Sequence, residues 1–168
     1  GSIGLAAAMG IGRFAFTPML PLMQADGSLS LPEGSYLASG NYAGYLIGAL
    51  LCAALNPRPV RAARLGIATV AISTLAMAFT TSFVPWFALR LLAGMASAFV
   101  LVGVSVWALQ YGSKQRSSWS GWVFAGIGIG IVIAGLLAMV NAVMGYRPPF
   151  GWLSLGVVAC IAALITMY

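Results

Sequence analysis

The chain has 168 residues and a formal charge of +6, and 61% of its residues are hydrophobic against 6% charged. Soluble domains are roughly 45–50% apolar and about 25% charged, so this composition excludes a water-soluble globular fold. With two acidic residues and no histidine, carboxylate-pair, histidine-based and metal-centred catalysis are hard to assemble. We therefore expect neither an enzyme nor a bound cofactor.

Apolar runs of about 20 residues recur along the chain, long enough to cross a hydrocarbon core of about 30 Å as α-helices. Because lipid offers no hydrogen bonds to the backbone, spanning segments are helices or a closed barrel, and the run length favours helices. The predicted fold is an all-α integral membrane bundle of six transmembrane helices, forming a single domain over 1–168. The predicted spans are Ile3 to Gln24, Pro32 to Leu55, Val60 to Thr81, Val84 to Tyr111, Ser117 to Met144 and Pro149 to Tyr168.

The first span carries one ionisable residue, Arg13, about ten residues into the helix, which is roughly 15 Å along its axis and close to the membrane midplane. A charge at this depth is costly, so we expect it to face a water-filled cavity or a partner. Arg13, with Thr17 one turn further along the same face, is predicted to bind substrate. The alternative is that Arg13 caps backbone carbonyls exposed where Pro18 and Pro21 interrupt the helix.

The second span is predicted to begin at a capping box, Ser30-Leu31-Pro32-Glu33, with an early proline. Its polar residues Asn41, Tyr42 and Tyr45 are predicted to join Arg13 in the wall of a substrate-binding cavity. Each of them could instead serve helix packing, which is the commoner role of a polar side chain inside a membrane.

The fourth span holds the second intramembrane arginine, Arg90, about 9 Å from the outer end of its helix. Its side chain could extend to the membrane interface, reach Glu33 at the outer start of the second span, or take part in gating. Cys52 and Cys160 lie within apolar spans and are interpreted as small buried hydrophobic residues rather than as a disulfide or metal site.

Small residues recur every four positions on three of the spans, a spacing that allows membrane helices to pack closely. We predict seams that hold the bundle together and also let helices rock or slide during transport. Gly128 and Gly135 lie beside the stripe on the fifth span. The stripe residues are Gly40, Gly44 and Gly48 on the second span, Gly94 and Ala98 on the fourth, and Gly126, Gly130 and Ala134 on the fifth.

Basic residues concentrate in two loops: Arg58, Arg61 and Arg64 follow the second span, and Lys114 and Arg116 follow the fourth. The positive-inside rule places both loops and the N-terminus in the cytoplasm. The expected location is the inner (plasma) membrane, and the expected partners are a lipid bilayer and a small solute rather than nucleic acid. Aromatic residues near the span ends, interpreted as an interfacial belt, are Trp86, Tyr111, Trp119, Tyr146 and Trp152.

Four segments carry recognisable motifs. They are Gly10-Ile11-Gly12-Arg13-Phe14-Ala15-Phe16-Thr17-Pro18-Met19-Leu20-Pro21, Asn41-Tyr42-Ala43-Gly44-Tyr45-Leu46-Ile47-Gly48, Arg90-Leu91-Leu92-Ala93-Gly94 and Gly126-Ile127-Gly128-Ile129-Gly130. The first two segments resemble the YbfB/YjiJ group of bacterial membrane proteins, within the major facilitator superfamily. The third resembles the Arg-x-x-x-Gly motif of that superfamily, and the fourth resembles its glycine-rich motif associated with antiporters.

Two departures from the superfamily pattern bear on the mechanism. The fifth span lacks the proline that usually follows the key glycine, which weakens the inference of antiport. Cys52 stands where the loop motif after Gly48 would carry an aspartate, so the usual gating charge pair is not expected here.

The resemblance implies the N-terminal six-helix half of a twelve-helix transporter, built from two inverted three-helix repeats. The half would be completed by a missing C-terminal half or by a second copy in a parallel homodimer. We expect secondary-active, alternating-access transport of a small solute, and the unmatched charge of Arg13 favours an anion. The alternatives are a non-transporting membrane assembly module, a fragment without activity of its own, or a passive channel.

Overall fold

The structure is a computed structural model that describes residues 1–112 and 118–167, with no side-chain detail over 111–120. The predicted six-span helical membrane fold is confirmed, and each helix begins and ends within two residues of its predicted bounds. The predicted basic residues Lys114 and Arg116, and the side chains of Tyr111 and Trp119, lie outside the described residues. The helices are α1 (Ser2–Ala25), α2 (Leu31–Leu55), α3 (Pro59–Phe79), α4 (Phe83–Gly112), α5 (Ser118–Val143) and α6 (Pro148–Met167).

The first helix changes its hydrogen-bond pattern twice. It is α-helical over Ser2–Leu5, π-helical over Ala6–Phe14 and α-helical again over Phe16–Ala25. Pro18 has no N–H to donate to the carbonyl five residues earlier, that of Arg13, so the π pattern cannot continue past this point. The sequence predicted an α-helical span with interruptions at Pro18 and Pro21 but no π segment, because π and α segments share the same apolar composition.

The ends of α2 follow local chemistry. Ser30 and Glu33 form the predicted capping box, in which the Glu33 carboxylate accepts hydrogen bonds from the Ser30 N–H (2.9 Å) and hydroxyl (2.5 Å). At the other end Asn56 adopts a left-handed conformation with φ of 42°, which asparagine tolerates better than most residues. Glu33 is therefore engaged at the start of its own helix, and it does not pair with Arg90.

The two three-helix repeats are α1–α3 and α4–α6. The second helix of each repeat packs mainly against the first helix of the other repeat. The most extensive contact of α2 is with α4, the first helix of the other repeat, and α5 in turn packs mainly against α1. The helix α1 contacts all five other helices, so the residues of its π segment lie at the centre of the bundle. This reciprocal arrangement is the one expected of inverted repeats.

Backbone contacts at glycines hold both of these inter-repeat pairs together. A side chain at Gly44 or Gly94 would collide with the main chain of the facing helix in the α2–α4 pair, and a side chain at Gly126 or Gly130 would do the same in the α1–α5 pair. Only residues without a Cβ allow this separation, which is the physical basis of small-residue seams in membranes.

Two tryptophans assigned to the interfacial belt lie inside the bundle instead. Trp86 is buried and its Nε1 donates to the carbonyl of Met77 (3.3 Å). Trp152 is buried and stacks on Phe16 with ring centroids 6.4 Å apart. Tyr146 is exposed, as a belt residue should be. Position near a helix end indicates depth in the membrane, but it does not indicate whether a ring faces inward or outward.

Candidate functional site

Arg13 lies halfway along α1 and its guanidinium is surrounded by aromatic rings. The guanidinium carbon is 4.1 Å from the ring centroid of Tyr45, 5.1 Å from that of Tyr42 and 5.6 Å from that of Phe14. Each distance is within the range in which a cation is attracted to the face of a ring. The structure therefore brings together Arg13, Tyr42 and Tyr45, three of the five residues predicted to bind substrate.

The charge of Arg13 has no acidic counterpart within the chain. The two acidic residues are Asp26 and Glu33. Asp26 lies 3.6 Å from Arg147, and Glu33 accepts hydrogen bonds from Ser30. The Arg13 side chain is half-buried, and its buried Nε has no hydrogen-bond partner in the described part of the chain. Aromatic faces thus orient this cation without neutralising it.

Arg90 occupies a different environment. Its side chain is 1% exposed, and its guanidinium carbon is 5.2 Å from the Phe16 ring centroid and 5.9 Å from that of Trp152. Its Nη2 donates to the main-chain carbonyl of Arg13 (3.1 Å), the same carbonyl for which Pro18 supplies no donor. The carbonyl-capping role considered for the Arg13 side chain is therefore filled by Arg90.

Asn41, like Arg90, connects two helices by a hydrogen bond, and it does not belong to the cluster of rings around Arg13. Its side chain is buried, and Nδ2 donates to the carbonyl of Arg90 (2.8 Å). Hydrogen bonds therefore run from α2 to α4 through Asn41, and from α4 to α1 through Arg90. Ser97 adds a second α4–α1 contact, since its hydroxyl proton is shared between the carbonyl of Ala93 in its own helix (2.7 Å) and that of Ala8 in α1 (2.9 Å). We call Asn41, Arg90 and Ser97 the inter-helix brace.

The remaining polar candidates divide between the surface and the interior. Thr17 and Tyr42 are exposed, and Tyr45 is half-buried. Asn141, near the outer end of α5, is buried and donates to the carbonyl of Leu137 (2.7 Å) within its own helix. Of the five residues predicted to bind substrate, Thr17 and Tyr42 are therefore the exposed ones.

The predicted glycine positions are not equivalent. Gly48, Gly94, Gly126 and Gly130 approach the main chain of a facing helix so closely that a Cβ would collide with it. Gly128 is exposed and has no atom within 4 Å of a Cβ built on it. Four of the five predicted gating glycines thus lie in seams, whereas Gly128 lies on an open face.

Four residues that contact the two arginines or join the brace were not predicted from the sequence to do so. Phe14, Phe16 and Trp152 provide the rings around the two arginines, and Ser97 joins the brace. Phe14 and Phe16 flank Arg13 closely in sequence, and that adjacency was a usable signal. No comparable signal existed for Trp152, which was interpreted as an interfacial residue, or for Ser97, since both come from other helices.

The comparison with family models settles the class of protein to which these helices belong. A family described as uncharacterised MFS-type transporter YbfB matches residues 5–168. The chain belongs to this family. The suspected YbfB-like group of the major facilitator superfamily is thereby confirmed, and with it a transporter role in general terms for a multi-pass membrane protein. The comparison with curated proteins gave no match.

Proposed function

We propose that this member of the YbfB family is half of a secondary-active transporter, and that Arg13 recognises the anionic group of a small solute. One observation carries the proposal. A half-buried guanidinium stands midway along α1, stacked on Tyr45, and neither acid of the chain is near it. Keeping such a charge inside a membrane is costly, so a counter-charge from outside the chain would be favourable there.

The stacking on Tyr45 favours a carboxylate over a neutral group as that counter-charge. A guanidinium whose face is covered by a ring keeps its edge, where its N–H donors lie, free for a planar acceptor. A carboxylate accepts two parallel hydrogen bonds from such an edge. Thr17, one turn along α1 from Arg13, and Tyr42 are both exposed, and their hydroxyls would contribute further polar contacts to the solute.

The glycine seams between the two three-helix repeats support relative movement of those repeats around this site. In the α2–α4 and α1–α5 pairs, main chain lies directly against main chain at the glycines. Such surfaces allow small sliding motions, which an alternating-access transporter requires. In this proposal Gly48, Gly94, Gly126 and Gly130 act in gating by keeping those surfaces smooth, and Arg90 acts by bracing α1 against α4.

A complete transport path requires a second six-helix unit facing Arg13. In this proposal that unit is a C-terminal half or a second copy in parallel orientation, and it supplies the opposite wall of the cavity. In this proposal the protein lies in the inner (plasma) membrane. The arginines between α2 and α3 face the cytoplasm, in accordance with the positive-inside rule. The N-terminus is then cytoplasmic as well.

The test compares carboxylates with their neutral amides. The purified protein is titrated with acetate, benzoate and succinate and with the corresponding amides, and the shift in unfolding temperature gives each affinity. At least one acid is expected to bind while its amide does not. Arg13→Ala should weaken that binding about a hundredfold and Arg13→Lys about tenfold, because lysine keeps the charge but loses the paired donors.

Arg147→Gln is the matched control. It also removes a guanidinium, but an exposed one in the loop between α5 and α6. It should leave the affinity unchanged. Equal binding of acid and amide, or an Arg13→Ala variant that binds as tightly as the unaltered protein, would refute the proposed anion site. Proteoliposome uptake of the acid that binds, abolished in Arg13→Ala, would then establish transport.

A further inference from the structure

A groove separate from the Arg13 site runs between α3 and α4. Its volume is about 460 Å³, and its rim at the start of α3 carries Arg58 and Arg61. Gly66 and Ala96 are buried at the bottom of the groove, where the two helices are in close contact: a Cβ on Gly66 would lie 2.8 Å from the carbonyl oxygen of Ala96. The apolar walls are formed by Leu65 and Thr69 from α3, and by Leu92, Met95 and Phe99 from α4.

The length of the groove matches one leaflet of a bilayer. From Arg58 to Thr69 the chain advances eleven residues, or about 16 Å at the helical rise, which is roughly half of a 30 Å hydrocarbon core. Thr69 does not make the inner end polar, because its hydroxyl donates to the carbonyl of Leu65 (2.9 Å). Leu65 and Leu92 are 70% and 44% exposed, so the groove is open along its side.

The charge at the rim is suited to a phosphate group. Arg58 and Arg61 are both exposed and lie three residues apart, close enough to contact one anion. Neither acid of the chain is available to them, because Asp26 lies beside Arg147 and Glu33 caps the opposite end of α2. Guanidinium groups bind phosphate oxygens through paired hydrogen bonds.

We infer that this groove binds one anionic phospholipid. Arg58 and Arg61 hold the phosphate of the headgroup, and an acyl chain lies along the walls formed by Leu65, Leu92 and Phe99. A transmembrane helix of a partner protein would require an apolar surface about 30 Å long, twice what the groove offers. An anionic lipid matches both the depth of one leaflet and the positive rim.

Native mass spectrometry tests this inference with two lipids that share acyl chains, phosphatidylglycerol and phosphatidylcholine. The protein should retain phosphatidylglycerol more tightly. Each arginine near an anionic headgroup contributes roughly a factor of five, so Arg61→Gln should weaken retention about fivefold and the Arg58→Gln/Arg61→Gln double variant about twenty-five-fold. Arg64→Gln is the matched control, because Arg64 is an exposed arginine of the same segment that lines a different cavity.

A second pair of variants tests the acyl-chain portion. Thr69→Phe places a ring across the inner end of the groove and should weaken retention of both lipids. Ile72→Phe changes an exposed position on the same helix outside the groove and should not. These variants keep the test informative if the arginine variants are poorly expressed.

Three results would overturn the inference. Arg64→Gln and Arg61→Gln could weaken phosphatidylglycerol equally, which would indicate general surface attraction. Inorganic phosphate at millimolar concentration could displace the lipid completely, which would indicate a free-anion site. A dimer that is lost in the double variant, with lipid retention unchanged, would indicate that a second copy occupies the groove.

Discussion

Arg13 and Arg90 lie on the first helices of the two three-helix repeats, and each places a guanidinium inside the bundle without an acidic partner. Arg90 is 1% exposed, packs near Phe16 and Trp152, and donates to a carbonyl. Arg13 is half-buried and stacks on Tyr45. The comparison shows that the immediate surroundings, rather than residue type or membrane depth, separate a structural arginine from a candidate binding residue.

The two arginines are also connected. The group that Arg90 holds is the main-chain carbonyl of Arg13, and the Arg90 carbonyl is held in turn by Asn41. The backbone position of the candidate site is thus fixed from α4, while the Arg13 side chain remains directed toward the rings of α2. Variants at the two positions should therefore differ in what they impair.

The largest expected effect is on stability at Arg90. Arg90→Ala should lower the free energy of unfolding by about 3 kcal/mol, because it empties a buried volume and leaves the Arg13 carbonyl without its donor. Arg13→Ala should cost less than about 1 kcal/mol, since it removes ring contacts of a half-buried side chain. Equilibrium unfolding in mixed micelles measures both changes, and equal losses would contradict the division between the two arginines.

A smaller loss of stability is expected for a substitution in the α2–α4 seam, beside Asn41 and Arg90 of the inter-helix brace. Gly94 follows Arg90 by one turn, and a Cβ there would collide with the carbonyl of Asn41. Gly94→Ala should cost about 2 kcal/mol, because main chain cannot move aside as a flexible side chain can. Gly128→Ala is the matched change at an open position and should cost nothing measurable. Similar unfolding curves for the two variants would show that the seam is more compliant than its geometry indicates.

The smallest expected effect concerns the ring beneath Arg13. Tyr45→Phe keeps the aromatic face and should leave the proposed carboxylate affinity nearly unchanged. Tyr45→Leu removes that face and should weaken the affinity about fivefold, the equivalent of about 1 kcal/mol of cation–π attraction. The titrations used for Arg13→Ala measure this change. If Tyr45→Phe lost as much affinity as Tyr45→Leu, the hydroxyl rather than the ring would be the important group.

Much of the architecture was predictable from the sequence because a membrane imposes length and polarity on each segment. Six apolar runs gave six helices, and Ser30 with Glu33 marked the start of α2 correctly. The association of Arg13 with Tyr42 and Tyr45 was also predictable, since few polar residues were available at that depth.

The remainder depended on how each helix is rotated about its axis, which polarity did not determine. Asn41 was grouped with Tyr42 and Tyr45, yet its amide faces Arg90 on α4. Trp152 was placed at the membrane interface but is buried beside Phe16. The π segment Ala6–Phe14 was unforeseen, because its extra hydrogen-bond spacing leaves no mark in apolar composition. The positions of Asn41 and Trp152 depend on contacts between helices distant in sequence.

The hydrogen bond from Arg90 has a consequence for how such a protein could diversify. Its acceptor is the carbonyl oxygen of residue 13, an atom that every amino acid provides. Replacement of the side chain at that position would leave the anchoring of α1 intact. A relative with a different residue there could acquire a new preference among solutes without rebuilding its scaffold, so selectivity and folding can evolve separately at a single position.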